Sequence, residues 1–350
     1  MEFICYADWS ELPASVDQLF ASAEKESLFF SRIWFENLRK NGFKEDQTLL
    51  LACVLEGEKV VALLPLIQPG GEHAYPVKHL YTSLYTLLLE YSDNTEVLAC
   101  LIEGLRGLPL HSLQLEPVAD SDSRVHELEQ AMTSYGYSCH RYFSFYNWYH
   151  RTNGESFSDY MAARPSRVRN TLGRKQRKLE REQDYRIELF RKGHLEQALA
   201  DYRAVYNASW KANEVFEPFV EDLAKTLSVS GWLRLAILYI DNHPAAAQFW
   251  FVAHGKASIF KLVYDEAWKR YSPGTILLAY LMEQVIDRDK VEEIDFLTGN
   301  DAYKQDWMSL RRQRWRLSCI DNNPETNKGM NPLRALRVKL KSLKEKVYNR

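Results

Sequence analysis

The chain has 350 residues with 45 basic and 47 acidic side chains, which leave a net charge of −2. Hydrophobic residues make up 46% and charged residues 26%, a globular balance that excludes disordered and collagen-like proteins. The length predicts two domains, and no apolar run approaches the roughly 18 residues of a membrane span.

The distribution of charge divides the chain into two parts. Residues 1–150 hold 10 basic and 21 acidic side chains, whereas residues 151–350 hold 35 and 26, so the parts carry net charges of −11 and +9. We therefore expect two units, with anionic ligands on the second.

The start of the chain lacks a basic region, an apolar core and a cleavage signature, so we expect a cytoplasmic protein.

The predicted elements of residues 1–150 alternate between helices and strands. Apolar residues at three-to-four spacing predict a helix over Ser15–Arg39. Two apolar runs around a Glu-Gly-Glu turn predict a hairpin over Thr48–Ile67. The remaining predictions are a helix over Val97–Leu105, a strand over Ser112–Glu116, a helix over Arg124–Ser134 and a strand over Tyr142–Tyr149.

Residues 151–350 repeat this order. A long basic helix is predicted over Ser158–Glu182 and a second hairpin over Trp232–Val252, which aligns with the first hairpin at an offset of 184 residues. This alignment predicts an internal duplication and an α/β (α+β) class with mixed sheets. The other predicted strands are Tyr185–Phe190, Ala257–Tyr264, Ile294–Leu297 and Arg314–Ile320, and the other predicted helices are His194–Lys211, Phe216–Ser228 and Gly274–Asp287.

The loop after the strand Ala257–Tyr264 is the first candidate site. It leads into an apolar helix, and the N-terminus of a helix presents unpaired amides and a partial positive charge that suit a phosphate. The alternative is an ordinary serine-capped helix with proline in its first turn. The polar, charged and glycine residues at this place are Lys269, Arg270, Ser272, Gly274 and Thr275.

A second candidate site follows the predicted strand at residue 294. The strand stops at Gly299, and a helix is expected to begin near Asp301 with Tyr303 and Lys304 in its first turn. A lysine there opposes the helix dipole, which indicates a role other than helix stability. The alternative is an exposed lysine on a solvated face.

These motifs resemble a known family. The residues that carry the resemblance are Tyr264-Asp265, Arg270 to Gly274, Asp295, Gly299 and Tyr303-Lys304. They are similar to those of CelD-like, polysaccharide-biosynthesis-associated acetyltransferases of the GNAT superfamily, which is distantly related to the Fem aminoacyl transferases. The specific motifs cover about residues 158–320, and the first unit matches more weakly.

The resemblance implies a fold and a domain plan. It implies tandem GNAT-like units, each with a mixed, mostly antiparallel central sheet flanked by helices. Residues 1–150 would form an N-terminal unit without catalytic activity, residues 151–325 the acetyltransferase domain, and residues 326–350 a basic amphipathic helix.

The resemblance also implies a reaction and its residues. The donor would be acetyl-CoA or another acyl-CoA, no metal would take part, and the acceptor would attack the thioester directly. Asp265 would be the base, Tyr303 would protonate the leaving thiolate, and Lys304 would stabilise carbonyl or phosphate charge. Donor binding is expected at Gln248, Phe249, Trp250 and Phe251, whose strand amides would polarise the carbonyl, and at Arg270, Ser272, Gly274 and Thr275.

Each of these assignments has an alternative. Asp265 is equally well explained as a turn or cap residue, and Tyr303 as a core ring with an exposed hydroxyl. Three histidines, His140, His243 and His254, are alternative bases.

Two basic segments predict the partners. Arg164 to Arg181 contains eight basic residues and one acid, which is typical of a solvated helix face or of a seat for an anionic small-molecule or glycan acceptor, such as a nucleotide-sugar, a lipid phosphate or a tRNA end. Asn331 to Arg350 carries seven basic groups on an amphipathic pattern, so we expect peripheral contact with the inner face of a membrane, or packing on the same domain. The expected acceptor-binding residues are Arg167, Arg174, Arg177 and Tyr264.

The leading functional prediction is a GNAT-type acyltransferase that acetylates an amine or hydroxyl, for example on a sugar or a cell-envelope precursor. One alternative is a Fem-like transferase that uses aminoacyl-tRNA, in which the basic helix would hold RNA. Another is a non-catalytic scaffold at the membrane surface. No DNA partner is expected.

Overall fold

The computed structural model describes residues 1–42, 47–90, 94–211 and 214–322 of the chain. The chain folds into two compact units, of which unit 1 is Met1–Phe145 together with the described residues from Gln313 onward and unit 2 is Tyr146–Arg312. The predicted basic helix at 326–350 lies outside the described residues. None of the helices in the described ranges combines the length and the hydropathy of a membrane-spanning segment.

The described residues of unit 1 form a mixed sheet and four α-helices. The helices are α1 (Val16–Ala23), α2 (Arg32–Asn41), α3 (Thr95–Arg106) and α4 (Ser123–Ser134). The strands are β1 (Glu2–Tyr6), β2 (Thr48–Glu56), β3 (Lys59–Gln68), β4 (His73–Pro76), β5 (Leu88–Leu89), β6 (Ser112–Ala119) and most of β13 (Leu310–Asp321). Their order is β1-β2-β3-β4-β6-β13, with β5 beside β3, and β4–β6 is the parallel pair.

Unit 2 has the same kind of sheet. Its helices are α5 (Phe157–Ala162), α6 (Ser166–Glu182), α7 (Leu195–Asn207), α8 (Glu217–Val229), α9 (Pro273–Glu283) and the single turn α10 (Lys304–Trp307). Its strands are the end of β7 (Tyr137–Arg151), β8 (Tyr185–Phe190), β9 (Leu233–Ile240), β10 (His243–Ala253), β11 (Lys256–Tyr264) and β12 (Glu293–Asp295). Their order is β7-β12-β11-β10-β9-β8, and β11–β12 is the parallel pair.

The strand order is the same in both units. The hairpin β2–β3 takes the place in unit 1 that β9–β10 takes in unit 2. Among the described strands, the parallel pair β4–β6 lies next to the end strand β13 in unit 1, and the parallel pair β11–β12 lies next to the end strand β7 in unit 2. The predicted fold class, with two mixed and mostly antiparallel sheets flanked by helices, is therefore confirmed. One predicted strand lies in a different unit from the one expected. Arg314–Ile320 was expected to close the sheet of the second unit, but it belongs to β13, which pairs with β6 in unit 1.

Two predicted helices are interrupted. The helix expected over Ser158–Glu182 is two helices, α5 and α6, with Pro165 between them. Proline disfavours helical backbone at the residue before it, so α5 ends before it and α6 begins after it. The helix expected over Ser15–Arg39 is also two helices, and Ser31 caps the second by accepting a hydrogen bond from the amide of Trp34 at 3.2 Å.

The sheet of unit 2 is covered on both faces. Helices α6 and α9 pack on one face in an apolar cluster that includes Leu179, Trp250 and Leu277. Helix α7 packs on the other face, where the hydroxyl of Tyr239 donates to Asp201 of α7 at 2.7 Å. Strands that are buried on both faces explain the almost continuous apolar runs of β9 and β10.

Candidate active site

The parallel strands β11 and β12 separate after three residue pairs. Lys256, Ala257 and Ser258 pair with residues 293–295, and β12 ends there. Strand β11 continues for six more residues, Ile259–Tyr264. Among the described residues β12 is the neighbour of β11 on this side, so the backbone of Ile259–Tyr264 borders an opening.

The chain after β12 follows β7 and not β11. The amide of Phe296 donates to the carbonyl of Trp148 at 2.9 Å, and the amide of Gly299 donates to the carbonyl of Tyr146 at 3.2 Å. Both acceptors belong to β7. The opening between β11 and the segment after β12 is therefore a wedge, and we call it the wedge below.

A bulge in β11 lies where the wedge begins. Phe249 of β10 pairs with Lys261 of β11, whereas its neighbour Trp250 pairs with Ile259, so Phe260 is the additional residue. It follows the last parallel pair closely. Bulges bend a strand and end its pairing, which accounts for the departure of β11 from β12 at this point.

Helix α9 starts beyond the end of β11 that borders the wedge, after a 3₁₀ helix over Glu266–Tyr271. Ser272 has a left-handed backbone, with φ of +54°, and its carbonyl accepts the amides of Thr275 at 3.0 Å and Ile276 at 3.3 Å. Gln248 ties the helix to β10 by donating to the carbonyl of Gly274 at 2.8 Å. The predicted phosphate-binding residues therefore share one place, although the amide of Thr275 is already engaged.

The basic helix α6 reaches both sides of this region. Near its start, Arg167 forms an ion pair with Asp306 of α10. Further along, Lys175 donates to the carbonyl of Arg270 at 2.5 Å, and Lys178 lies 5.4 Å from the centre of the Tyr271 ring.

The predicted acceptor-binding residues Arg174 and Arg177 lie on the same helix α6 and are exposed. The helix thus brings them to the side of the sheet that also carries α9. The contacts of Lys175 and Lys178 place this stretch of α6 beside the loop that contains Arg270 and precedes Ser272.

Lys304 is buried and held by the loop that precedes it. Its side chain has three partners within reach, which are the carbonyl of Phe296 at 3.4 Å, the carbonyl of Thr298 at 2.5 Å and the carboxylate of Asp301 at 3.2 Å. Only 5% of the residue is exposed, and burial lowers its pKa. An ammonium has three donors, so these partners are sufficient to satisfy it. The exposed-lysine alternative is wrong.

Tyr303 and Tyr264 keep contact with solvent. Tyr303 is 44% exposed and its ring packs edge-on against Phe296 with centroids 5.6 Å apart. Partial burial, and then the nearby carboxylate of Asp301, raise the pKa of Tyr303, so its hydroxyl is protonated at neutral pH. Tyr264 packs against the exposed ring of Trp210, with centroids 4.5 Å apart.

Asp265 caps the 3₁₀ helix that follows β11. Its carboxylate accepts the amide of Ala267 at 2.9 Å, and its own amide donates to the carbonyl of Ala245. The cap role is therefore present, and it uses one carboxylate oxygen. The alternative bases are exposed, with His243 at the start of β10, His254 in the turn after β10, and His140 in unit 1.

The four strand residues predicted to polarise a carbonyl lie in a different environment from the one expected. Gln248, Phe249, Trp250 and Phe251 pair in register with β9 on one side and β11 on the other, and all four are buried. Their backbone groups face neighbouring strands. The strand that runs past its last parallel pair and borders the wedge is β11.

A buried network that the sequence reasoning missed holds the far side of the wedge. Asp295 accepts hydrogen bonds from Asn147 at 2.5 Å, from Arg312 at 2.6 Å and from the amide of Leu297 at 2.6 Å. Leu297 has a left-handed backbone, with φ of +54°. The carboxylate therefore fixes the turn by which the chain leaves β12.

A buried ion pair adjoining the wedge was also missed. Lys261 of β11 lies 2.7 Å from the carboxylate of Glu214, and both side chains are less than 10% exposed. Burial lowers the pKa of Lys261 to about 8, and Glu214 opposes that change. The one available signal was a lysine inside an otherwise apolar strand, Ile259–Tyr264, which periodicity alone assigns to a solvated face.

A family model described as an acetyltransferase (GNAT) domain matches residues 166–305. The matched segment runs from the first residue of α6 into α10 and therefore contains β11, the start of α9 and Lys304. It supports a GNAT-type acetyltransferase domain in unit 2. No curated protein matches the chain.

Solved structures share the fold over nearly the whole chain. FemX has a TM-score of 0.62 at 11% identity, covering 93% of this chain and 99% of FemX. A tandem GNAT protein from the clavulanic acid biosynthesis pathway has a TM-score of 0.51 at 15% identity, with 92% and 99% covered. L-PGS from Bacillus licheniformis has a TM-score of 0.52 at 12% identity, with 86% and 93% covered. At these identities the likeness shows a tandem GNAT-like fold alone.

Proposed function

We propose that the protein is an acyl-CoA-dependent acyltransferase that transfers an acetyl group to an amine or a hydroxyl. The observation that carries the proposal is the wedge, where β11 runs on past its last pair with β12 and leads directly to the start of α9. An extended pantetheine arm fits along such an opening between two strands, and the helix start with nearby basic residues fits the pyrophosphate. Unit 1 would have a structural role.

The basic residues beside the start of α9 would bind the phosphates. Arg270, Arg174 and Arg177 supply positive charge there, and Ser272 and Thr275 supply hydroxyls. Arg167 is already paired with Asp306, so it would contribute through that pair.

The chemistry would need no covalent intermediate. The acceptor nitrogen or oxygen attacks the thioester carbonyl, the new C–N or C–O bond forms, and the C–S bond breaks. Asp265 would take the proton of the acceptor, and Tyr303 would give a proton to the departing thiolate. Lys304 would position the loop 296–301 and not touch the substrate, because its donors are already occupied.

The acceptor class and the CelD-like membership belong to the proposal as well. A sugar or cell-envelope precursor acceptor and a cytoplasmic location with peripheral membrane contact rest on the sequence resemblance and on the predicted basic helix at Asn331 to Arg350.

A thermal-shift titration of the full chain tests the donor. Acetyl-CoA, longer acyl-CoAs and free CoA are compared, and a ligand at 100 times its Kd adds about 2.7 kcal/mol to the free energy of unfolding. We expect a saturable shift that the double variant Arg174→Gln/Arg177→Gln reduces. The matched control is Arg181→Gln, which removes an exposed arginine of the same helix that pairs with Glu182.

The alternative donor is aminoacyl-tRNA, which the sequence resemblance to the Fem aminoacyl transferases and the basic helix α6 support. If millimolar acetyl-CoA gives no shift while an aminoacyl-tRNA binds the chain in a mobility-shift assay, the acyl-CoA proposal fails and the aminoacyl-tRNA donor replaces it. A salt-sensitive interaction weakened by the same double variant would identify α6 as the RNA contact.

A further inference from the structure

A cavity of about 470 Å³ lies between α7 and α8 on the face of the unit 2 sheet opposite α6 and α9. Its size falls in the range of small-molecule sites. Its lining includes Tyr202, Arg203, Tyr206, Glu214, Glu217 and Glu221.

The lining is acidic. Three carboxylates face one guanidinium, that of Arg203, which pairs with Glu221 and lies 3.6 Å from Glu217. The lining residues alone carry a net charge of −2, and Lys261, which pairs with Glu214, reduces the charge of the cavity and its ion partners to −1. An anionic ligand would be repelled in such a cavity, whereas a cation would be attracted.

Tyr202 supplies an independent indication of a ligand. It lines the cavity, it is 3% exposed, and its hydroxyl has no hydrogen-bond partner among the residues that the structure describes. Burial raises the pKa of this hydroxyl well above its ordinary value, and the carboxylate of Glu217, which lines the same cavity, raises it further. A buried hydroxyl without a partner is costly, and a ligand with an N–H donor would satisfy its oxygen.

The cavity adjoins the wedge through Lys261. Glu214 of the cavity pairs with Lys261 at 2.7 Å, and the ring of Tyr206 has the same ammonium 5.9 Å from its centre. Lys261 belongs to the part of β11 that borders the wedge. A molecule in the cavity is thus one side chain away from the strand proposed to hold the thioester.

We propose that this cavity binds a positively charged amino group of the acceptor, with Glu217, Glu221 and the oxygen of Tyr202 as its partners. The inference rests on the proposed acyl-transfer function, and it places the acceptor's charge away from the atom that is acylated. A cationic acceptor replaces the anionic acceptor that was expected from the sequence. The basic helix α6 lies on the opposite face of the unit 2 sheet from this cavity, where it suits the phosphates of the donor.

Calorimetric titration of the full chain without CoA tests the cavity. The probes are 1,5-diaminopentane and its uncharged counterpart of equal length, 1,5-pentanediol. We expect saturable binding of the diamine and at least tenfold weaker binding of the diol. Tyr202→Phe and Glu217→Gln should each weaken diamine binding by about tenfold, as for the loss of one charge-assisted hydrogen bond. Glu196→Gln, an exposed substitution on α7 away from the cavity, should leave it unchanged.

The cavity proposal is overturned if the diamine does not bind, or if the diamine and the diol bind with equal affinity. It is also overturned if Tyr202→Phe and Glu217→Gln both bind the diamine as tightly as wild type. Acetyl-CoA binding by the same preparations separates this failure from that of the proposed function. Acetyl-CoA binding without diamine binding leaves the acyltransferase proposal in place. Diamine binding without acetyl-CoA binding leaves a cation site in a protein with another activity.

Discussion

Replacing Glu214 with glutamine removes the charged partner of the buried Lys261. The pKa of Lys261 is lowered from 10.5 to about 8 by burial, and Glu214 is the group that limits the change. Without that carboxylate the pKa falls further, so Lys261 in Glu214→Gln releases its proton in the folded state near neutral pH. The folded protein then binds fewer protons than the unfolded chain, and its stability depends more steeply on pH.

The magnitude follows from linkage. One pKa unit corresponds to about 1.4 kcal/mol, and the wild-type pKa of about 8 lies one unit above pH 7 and two units above pH 6. Relative to wild type, a variant whose Lys261 is neutral therefore loses at most about 1.4 kcal/mol of unfolding free energy at pH 7 and at most about 2.7 kcal/mol at pH 6. Above pH 8, Lys261 is already neutral in the folded wild type, and the two proteins should differ by less than about 0.5 kcal/mol at pH 9. The loss therefore grows as the pH falls.

Urea unfolding followed by tryptophan fluorescence at pH 6, 7 and 9 measures these differences. Glu196→Gln on α7 is the control and should show no pH-dependent difference from wild type. Adding Lys261→Met to Glu214→Gln should abolish the pH-dependent part. A loss that is the same at pH 6 and pH 9, or one below about 0.5 kcal/mol at pH 6, would refute the reasoning.

Three further substitutions test the local structure in urea unfolding. Ser272→Gly should raise the free energy of unfolding by about 1 kcal/mol, because glycine adopts the left-handed backbone without strain, and an increase in Ser272→Ala would contradict this reason. Arg164→Met should lower it by about 2 to 3 kcal/mol, since a buried guanidinium with three acceptors is lost, whereas the exposed Arg169→Met should change it by under about 0.5 kcal/mol. Asp295→Asn should lower it by about 3 kcal/mol, because Arg312 loses a buried carboxylate, and a stable variant would disprove that Asp295 holds the turn after β12.

The local pattern of the sequence was sufficient for the fold class. Apolar runs separated by tight turns predicted both hairpins, and their alignment predicted two units of similar construction, because hairpin pairing involves neighbouring residues. The basic helix α6 and the start of α9 were also predicted, since helix periodicity and a proline next to glycine are local signals. The break at Pro165 was available in the sequence and was overlooked.

Pairing between distant residues could be known only from the tertiary structure. Periodicity does not tell where the pairing of a strand stops, so the carbonyl-polarising amides were expected on β10, whereas β11 is the strand that borders the wedge. It does not tell that β13 joins unit 1, that Lys304 is enclosed by carbonyls of its own loop, or that Glu214 meets Lys261 across 47 residues. Apolar strands have the same sequence pattern whichever strands they pair with. The sequence also does not distinguish a charged side chain that is solvated from one that is buried. Register and burial are set by the whole packed chain.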